Sequence, residues 1–289
     1  MRSILFLAFL TSFFTTTAFS QSTTPTIFRI NSPHTSFPDT GRANGHLYNN
    51  VLYSAAEHYN DSSVLMIIPP AFKASKNVDL VFWFHGWSNN IDSVDHRYDL
   101  IQQFIASGRN AILVLSETAK NAPDSYGGKL EQQGMFSLLV SDVMKKLKAE
   151  KITGKKSSAG NITLAGHSGA YRVMAYIIQN GGLPIQQAIL FDALYSEVDK
   201  YSNWIQADLR HQFINIYTDS GGTYKLSVSM AQQLRDKNIP AKSVEEKEIT
   251  PLLLRSNNIL FIHSAKAHND VINRPDKNLA LFLQNVPFF

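Results

Sequence analysis

The feature that most constrains the fold of this chain is a regular alternation of short apolar runs with amphipathic segments, beginning near residue 62. The apolar runs are mostly continuous and rich in β-branched residues, as expected for strands buried on both faces. They are VLMII (64–68), VDLVFWF (78–84), AILVL (111–115), ITLAG (162–166), QAILF (187–191), FINIY (213–217) and ILFIH (259–263). Each run predicts one strand.

Segments with helical periodicity separate these strands. The clearest has apolar residues at i, i+3, i+4, i+7 and i+11, namely Phe136, Leu139, Val140, Val143 and Leu147. Further predicted helices contain Leu100, Ile101, Phe104 and Ile105; Val173, Met174, Ile177 and Ile178; Leu226, Met230 and Leu234; and a last helix from near Asp276 to the C-terminus. The alternation predicts a three-layer α/β fold, with a mostly parallel central sheet and helices on both faces.

The N-terminal part does not follow this alternation. Residues 1–20 have the pattern of a signal peptide, because Arg2 precedes an apolar run of eleven residues, and Ala18 and Ser20 offer a cleavage site before Gln21. A buried N-terminal helix is the alternative. We expect a secreted or periplasmic protein with no integral membrane segment after signal removal. We interpret residues 21–289 as a single domain, with 21–61 as an extension packed on it that could add one edge strand.

Composition excludes several kinds of site. The chain of 289 residues has no cysteine, which excludes disulfides, thiolate nucleophiles and zinc–cysteine sites. Its nine histidines are dispersed, so we expect no metal and no other cofactor. The net charge is +4 and the densest basic run, 145–156, suits the solvated end of a helix. We therefore expect no nucleic-acid partner.

The stretch LAGHSGAYR (164–172) makes Ser168 the candidate nucleophile. Its pattern G-x-S-x-[GA] is weak by itself, since it arises by chance in roughly one chain of this length in five. Here the serine lies between a predicted strand and a predicted helix, the setting of a nucleophile elbow. Gly166 and Ala170 are small enough for strand and helix to approach each other. A serine that caps the helix is the alternative interpretation.

Another strand end offers the donors of an oxyanion hole. In FWFHGWSNN (82–90) the backbone amide of Trp87 or Ser88 is a candidate donor, and the amide of Gly169 is the second. His85 is interpreted as a buried packing residue that shapes this loop.

Among the histidines, His268 is the candidate general base. It follows the last strand in SAKAHNDVINR and precedes the final helix, where the order nucleophile, acid, histidine requires the base. His167 is expected to point away from the direction of Ser168, and His263 is expected to lie in the core.

Two aspartates compete for the role of the acid. Asp192 ends the apolar run of AILFDALY, and Asp219 follows the next strand in NIYTDSGG. Either residue could instead cap a helix. We favour Asp192, because a run that is apolar up to the carboxylate indicates a buried group that needs a partner such as an imidazole.

Taken in order, HGW, GHSGA, the aspartate after a later strand and HND resemble the motifs of the α/β-hydrolase superfamily over roughly residues 62–289. ILFDALY is similar to the lipase-like subset, and GHSG-Y-R with DALY resembles secreted bacterial hydrolases of undefined substrate. The resemblance implies a serine nucleophile, a His–Asp relay and an oxyanion hole of backbone amides. These roles fall on Ser168, His268, Asp192, Trp87 and Gly169.

The sequence therefore predicts a secreted, carboxylesterase-like serine hydrolase that cleaves an ester or amide bond in a small molecule or polymer through an acyl-enzyme. A peptidase or amidase of the same fold, and a non-catalytic secreted binding protein on this scaffold, are the alternatives. Only 18 residues (194–211) lie where a cap domain would be inserted, so no large cap is expected. The long polar segment 117–136 is expected to line the cleft and is the candidate lid.

Overall fold

A computed structural model describes residues 24–272 and 277–286. Strands in these ranges are β1 (Thr26–Asn31), β2 (His46–Tyr48), β3 (Val51–Tyr53), β4 (Ser63–Ile68), β5 (Asn77–Phe84), β6 (Ala111–Ser116), β7 (Ser158–His167), β8 (Gln187–Phe191), β9 (Gln212–Thr218), β10 (Lys242–Glu245) and β11 (Ile259–Ser264). Nine of them form one sheet in the order β1-β4-β6-β5-β7-β8-β9-β11-β10, and β2 pairs with β3 in a hairpin.

The sheet is mostly parallel, because only the pairs β1–β4 and β4–β6 run antiparallel. Its register fixes where the chain leaves each strand. His167 pairs with Phe191, so Ser168 and Asp192 leave the adjacent strands β7 and β8 at the same level. In parallel sheets this carboxyl-terminal edge is where sites form.

Helices in the described ranges are α1 (Ala55–His58), α2 (Ile91–Tyr98), α3 (Leu100–Ala106), α4 (Met135–Ala149), α5 (Tyr171–Asn180), α6 (Val198–Ala207), α7 (Tyr224–Asp236), α8 (Pro251–Ser256) and α9 (Asn278–Asn285). None of them is long and apolar enough to cross a membrane. They cover both faces of the sheet. Phe82 packs with α4, α5, α6 and α7 in one buried cluster, whereas its neighbour Trp83 packs with α2, α3, α8 and α9 in another. The three-layer α/β architecture is confirmed.

The seven predicted strands are confirmed, as are the apolar stripes of α3, α4, α5 and α7 and the presence of a last helix, α9. The signal peptide, the expected helix start near Asp276 and the last three residues lie outside the described residues. Strand β10 was not predicted, because this short edge strand is largely polar and exposed. Helix α2 was not predicted either, although Asn90 and Ser93 form a capping box, which is a recognisable signal of a helix start.

The N-terminal extension packs on the segment 117–136. Phe37 and Tyr59 are buried with Ala119 and Ala122 of that segment, and β1 adds an antiparallel edge strand beside β4. The segment is therefore held between the extension and the sheet. The connection from β8 to β9 contains α6 and no inserted domain, as predicted.

Candidate active site

Ser168 lies at a sharp turn between β7 and α5. Its φ of 55° is in the left-handed region, which non-glycine residues rarely adopt and which is common at functional sites. Neighbouring glycines make room for the turn. A Cβ atom added to Gly166 would lie 2.6 Å from Ala170 Cβ, and one added to Gly86 would lie 2.7 Å from Ser168 Cβ. This geometry presents the serine hydroxyl beyond the end of the sheet.

Asp192 and His268 are brought together although 76 residues separate them: His268 Nδ1 donates to Asp192 Oδ2 at 2.6 Å. The carboxylate is fully buried. It also accepts the Thr218 amide at 3.0 Å, the Thr218 hydroxyl at 2.7 Å and the Thr223 hydroxyl. Burial raises the pKa of Asp192, but the hydrogen bonds from His268, Thr223 and Thr218 outweigh it, so the pKa is lowered. Because Nδ1 carries a proton toward this carboxylate, Nε2 of neutral His268 is left as an acceptor.

Asp219, the competing candidate, has a different partner. Its carboxylate lies 3.0 Å from His263 Nε2 and is largely exposed. His263 Nδ1 lies 3.0 Å from Glu245 on the edge strand. The expectation that His263 lies in the core is therefore wrong. Its ring is partly exposed between two carboxylates, because only the short strand β10 covers this edge of β11.

His268 lies beside His167, the residue that directly precedes Ser168. The ring of His167 is 4.4 Å from that of His268, centroid to centroid. Within the described residues, no hydrogen bond joins the Ser168 hydroxyl to the His268 imidazole. Ser168 instead lines a cavity together with Tyr195. Unliganded active sites often show such loose contacts between nucleophile and base.

The amide of Trp87 or Ser88 was the candidate oxyanion donor beside that of Gly169, and the structure distinguishes between these two. The Ser88 amide donates to the Ala122 carbonyl at 2.9 Å. The Trp87 amide meets no acceptor among residues 24–272 and 277–286. The Trp87 indole lies against Gly169, where an added Cβ would be 2.5 Å from Trp87 Cδ1. The Trp87 and Gly169 segments therefore meet beside Ser168.

Glu117, which was not singled out from the sequence, holds the loop after β5 that contains Trp87. His85 Nε2 donates to Glu117 Oε1 at 2.6 Å, and both side chains are buried. The other carboxylate oxygen of Glu117 accepts the Ile91 amide at 3.2 Å. His85 is thus the packing residue that was expected, held by a carboxylate. The sequence signal that could have revealed Glu117 is the one that singled out Asp192, namely an acidic residue directly after a buried strand.

A cavity of about 200 Å³ opens beside the serine, and its walls are uncharged. Its lining residues are Trp87, Ser125, Ser168, Gly169, Tyr171 and Tyr195. Trp87 Nε1 donates to Ser125 Oγ at 2.7 Å, and Tyr195 donates to the Gly221 carbonyl at 2.5 Å. Burial, with the nearby charge of Asp192, raises the pKa of Tyr195 to about 12, so this phenol is neutral. Segment 117–136 lines the cavity through Ser125, as predicted.

The described residues include no group of three or more His, Cys, Asp or Glu side chains arranged to hold a metal ion. Larger surface clefts of about 460 and 570 Å³ lie elsewhere and contain none of the predicted site residues.

Comparison with known proteins identifies the fold. No protein-family model and no curated protein sequence matches the chain. Among solved structures, a feruloyl esterase module from Clostridium thermocellum complexed with sinapinate is 11% identical, with a TM-score of 0.55 over 92% of this chain and 90% of that one. FphF, a fluorophosphonate-binding serine hydrolase of Staphylococcus aureus, is 12% identical, with a TM-score of 0.53 over 90% and 99%. S-formylglutathione hydrolase (FrmB) from the same organism is 11% identical, with a TM-score of 0.53 over 91% and 99%. The chain has the α/β-hydrolase fold.

Proposed function

We propose that the protein is a carboxylesterase-like serine hydrolase that cleaves an ester bond through an acyl-enzyme. The observation that carries this proposal is the hydrogen bond of 2.6 Å between His268 and a buried, ionised Asp192 at the carboxyl end of the strand adjacent to the Ser168 elbow. A non-catalytic protein has no need to hold a buried carboxylate against a histidine beside a strained serine.

In the proposed mechanism, Ser168 Oγ attacks the carbonyl carbon of the ester while His268 Nε2 takes its proton. Asp192 keeps the other ring nitrogen protonated and stabilises the imidazolium. The amides of Trp87 and Gly169 donate to the oxyanion of the tetrahedral intermediate. As that intermediate collapses, His268 gives the proton to the departing alcohol. Water then attacks the acyl-enzyme with the same assistance and releases the acid.

The cavity favours an ester of an uncharged, small acyl group. Pockets for drug-sized ligands span about 300–1,000 Å³, whereas this cavity has about 200 Å³ and no charged side chain in its wall. The substrate is either a small molecule or an ester group on a polymer. Export after removal of residues 1–20 remains part of the proposal and is supported by the composition of that segment.

Replacing Ser168 by Ala tests the proposal. We expect Ser168→Ala to fold normally and to lose hydrolysis of p-nitrophenyl esters, because the remaining groups cannot form an acyl-enzyme. A fluorophosphonate probe should label the wild-type protein at Ser168 and leave the variant unlabelled. Ser220→Ala, at an exposed serine, is the control and should behave as wild type.

Two results would contradict the assignment. If Ser168→Ala kept more than a small fraction of the wild-type turnover, Ser168 would not be the nucleophile. A wild-type protein without labelling or turnover would favour the binding protein instead. Faster cleavage of aminoacyl anilides than of esters would favour the peptidase.

A further inference from the structure

A buried histidine that the proposed mechanism does not use contacts the candidate base. His167 directly precedes Ser168, and its side chain points away from the serine into the core, where it is almost fully buried. Its Nε2 lies 3.0 Å from the backbone carbonyl oxygen of His268. The two imidazole rings are inclined by 37° with their centroids 4.4 Å apart.

Chemistry fixes the proton on His167. A carbonyl oxygen only accepts, so Nε2 must carry the hydrogen, and Nδ1 of the neutral ring is an acceptor. Nδ1 lies 3.2 Å from the Tyr98 hydroxyl. Burial, with the neighbouring His268, lowers the pKa of His167 to about 3, so this tautomer is the form present at neutral pH.

Tyr98 also contacts Asn269, the residue that follows His268 in the loop after β11. The Tyr98 hydroxyl lies 3.0 Å from Asn269 Oδ1, and its single proton is shared between this oxygen and Nδ1 of His167. Tyr98 is itself buried at the end of α2. The loop after β11 is therefore tied to the core at two consecutive residues, at the backbone of His268 and at the side chain of Asn269. The side chain of His268 is tied separately, to Asp192.

We infer that His167 is a positioning residue for catalysis: its imidazole N–H fixes the backbone of His268, so that the base stays aligned between Asp192 and Ser168. This inference rests on the proposed function. Since His167 and Ser168 are consecutive, one turn of the chain sets the place of both the nucleophile and the base.

Two substitutions in the full chain separate positioning from packing. His167→Phe keeps an aromatic ring in the core and loses the N–H, and His167→Gln keeps a donor at a similar reach. We expect His167→Phe to lower kcat on a p-nitrophenyl ester by about 30- to 100-fold, the scale of a misplacement of about 1 Å, with KM changed by less than about threefold. The rate of fluorophosphonate labelling should fall in parallel. His167→Gln should recover most of both losses.

His211→Phe is the matched control. His211 also stacks on an aromatic ring, that of Trp204 at 4.4 Å, and its Nδ1 donates to the Trp204 carbonyl at 2.7 Å. It precedes β9, at the opposite end of the sheet, so its loss should leave kcat unchanged. Should His167→Phe fail to fold, Tyr98→Phe tests the other tether, and we expect a fall in kcat of about tenfold or more.

A wild-type kcat in His167→Phe, or in Tyr98→Phe where the first variant does not fold, would overturn the inference. So would an equal loss in His167→Phe and His167→Gln. Failure of the proposed function looks different, because the wild-type protein itself would then show neither turnover nor labelling.

Discussion

At the scale of single residues, the candidate site depends on backbone conformations that side chains seldom adopt. Ser168 and Asp192 have φ values of 55° and 46°, each directly after a strand of the parallel sheet. Both positions need glycine neighbours, since a Cβ atom on Gly86 would collide with Ser168 and one on Gly221 would overlap the Asp192 carboxylate. Such strained positions persist only when the surrounding structure holds them.

Exchanging the two aspartates for asparagine tests which one acts as the acid. We expect Asp192→Asn to lower kcat by about 10³- to 10⁴-fold, because the amide would favour the wrong histidine tautomer. Asp219→Asn should leave kcat nearly unchanged, since Asp219 binds His263 instead. Steady-state kinetics on one ester substrate gives both values, and circular dichroism checks that each variant is folded. The opposite ranking would assign the acid to Asp219.

At the scale of elements, the turn after β9 contacts both Asp192 and the cavity residue Tyr195. Thr218 and Thr223 donate to Asp192, and the Gly221 carbonyl accepts from Tyr195, which lines the cavity. On its outer side, Asp219 pairs with His263. One short connection therefore contacts Asp192, a cavity residue and a histidine at the sheet edge.

The pairing of His263 should make stability depend on pH. Partial burial lowers the pKa of His263, but hydrogen bonds and charge from Asp219 and Glu245 outweigh it, so the pKa is raised. A raised pKa means that the pairing stabilises the fold fully below the unfolded value of about 6.5. This contribution is lost as the pH rises through the folded value.

We expect His263→Gln to lower the free energy of unfolding at about pH 5.5 by no more than about 1 kcal/mol, because the carboxylates are exposed and screened. At about pH 8.5 the loss should be smaller. Urea denaturation at both pH values measures it, with Asp219→Asn as a second variant that should show the same trend. A loss that is equal at the two pH values would count against this ion pairing.

At the scale of the whole molecule, the N-terminal extension packs against residues that line the cavity or adjoin its lining. Arg42 Nε donates to the buried Asp124 at 2.6 Å, and Asp124 is next to the cavity residue Ser125. The ring of Tyr48 on the hairpin packs edge-on against Trp87 at 5.4 Å. Segment 117–136 is thus held by Arg42 at Asp124 and by the Trp87 indole at Ser125, which argues against its use as a freely moving lid.

Removing the guanidinium of Arg42 from its ion pair with Asp124 should destabilise the protein. Burial raises the pKa of Asp124, but the hydrogen bond and charge of Arg42 and the Tyr126 amide outweigh it, so the pKa is lowered. The pair therefore stabilises the fold above the unfolded carboxyl pKa of about 4, and this contribution is lost as the pH falls through the folded value. We expect Arg42→Met to cost about 2–4 kcal/mol at neutral pH, because a buried carboxylate is left unpaired.

Thermal and urea unfolding measure this effect. Adding Asp124→Asn to Arg42→Met should recover part of the loss, since the uncompensated charge is removed. Arg210→Met, which breaks the fully exposed pair with Asp208, is the control and should cause no measurable change. Arg42→Met with wild-type stability would show that the extension is not anchored through this pair.

The sequence by itself determined the order along the chain of seven strands and five helices. A strand buried on both faces is a continuous apolar run, and a helix buried on one face has an apolar stripe, so both can be recognised within one segment. The sequence also singled out Ser168, Asp192 and His268 as candidates, since each follows a predicted strand. Glycines and apolar runs near a strand end report local geometry and burial. These properties belong to one segment and can be predicted without knowing what lies across from it.

Only the tertiary structure decided which of these groups meet. His268 lies beside Asp192, whereas His263 lies beside Asp219, although both histidines follow their aspartates along the chain. The Ser88 amide donates to the Ala122 carbonyl, and Nε2 of His167 donates to the His268 carbonyl, 101 residues away along the chain. Such contacts depend on strand register and loop packing, and no pattern within a single segment encodes them, because each partner is provided by a different part of the chain.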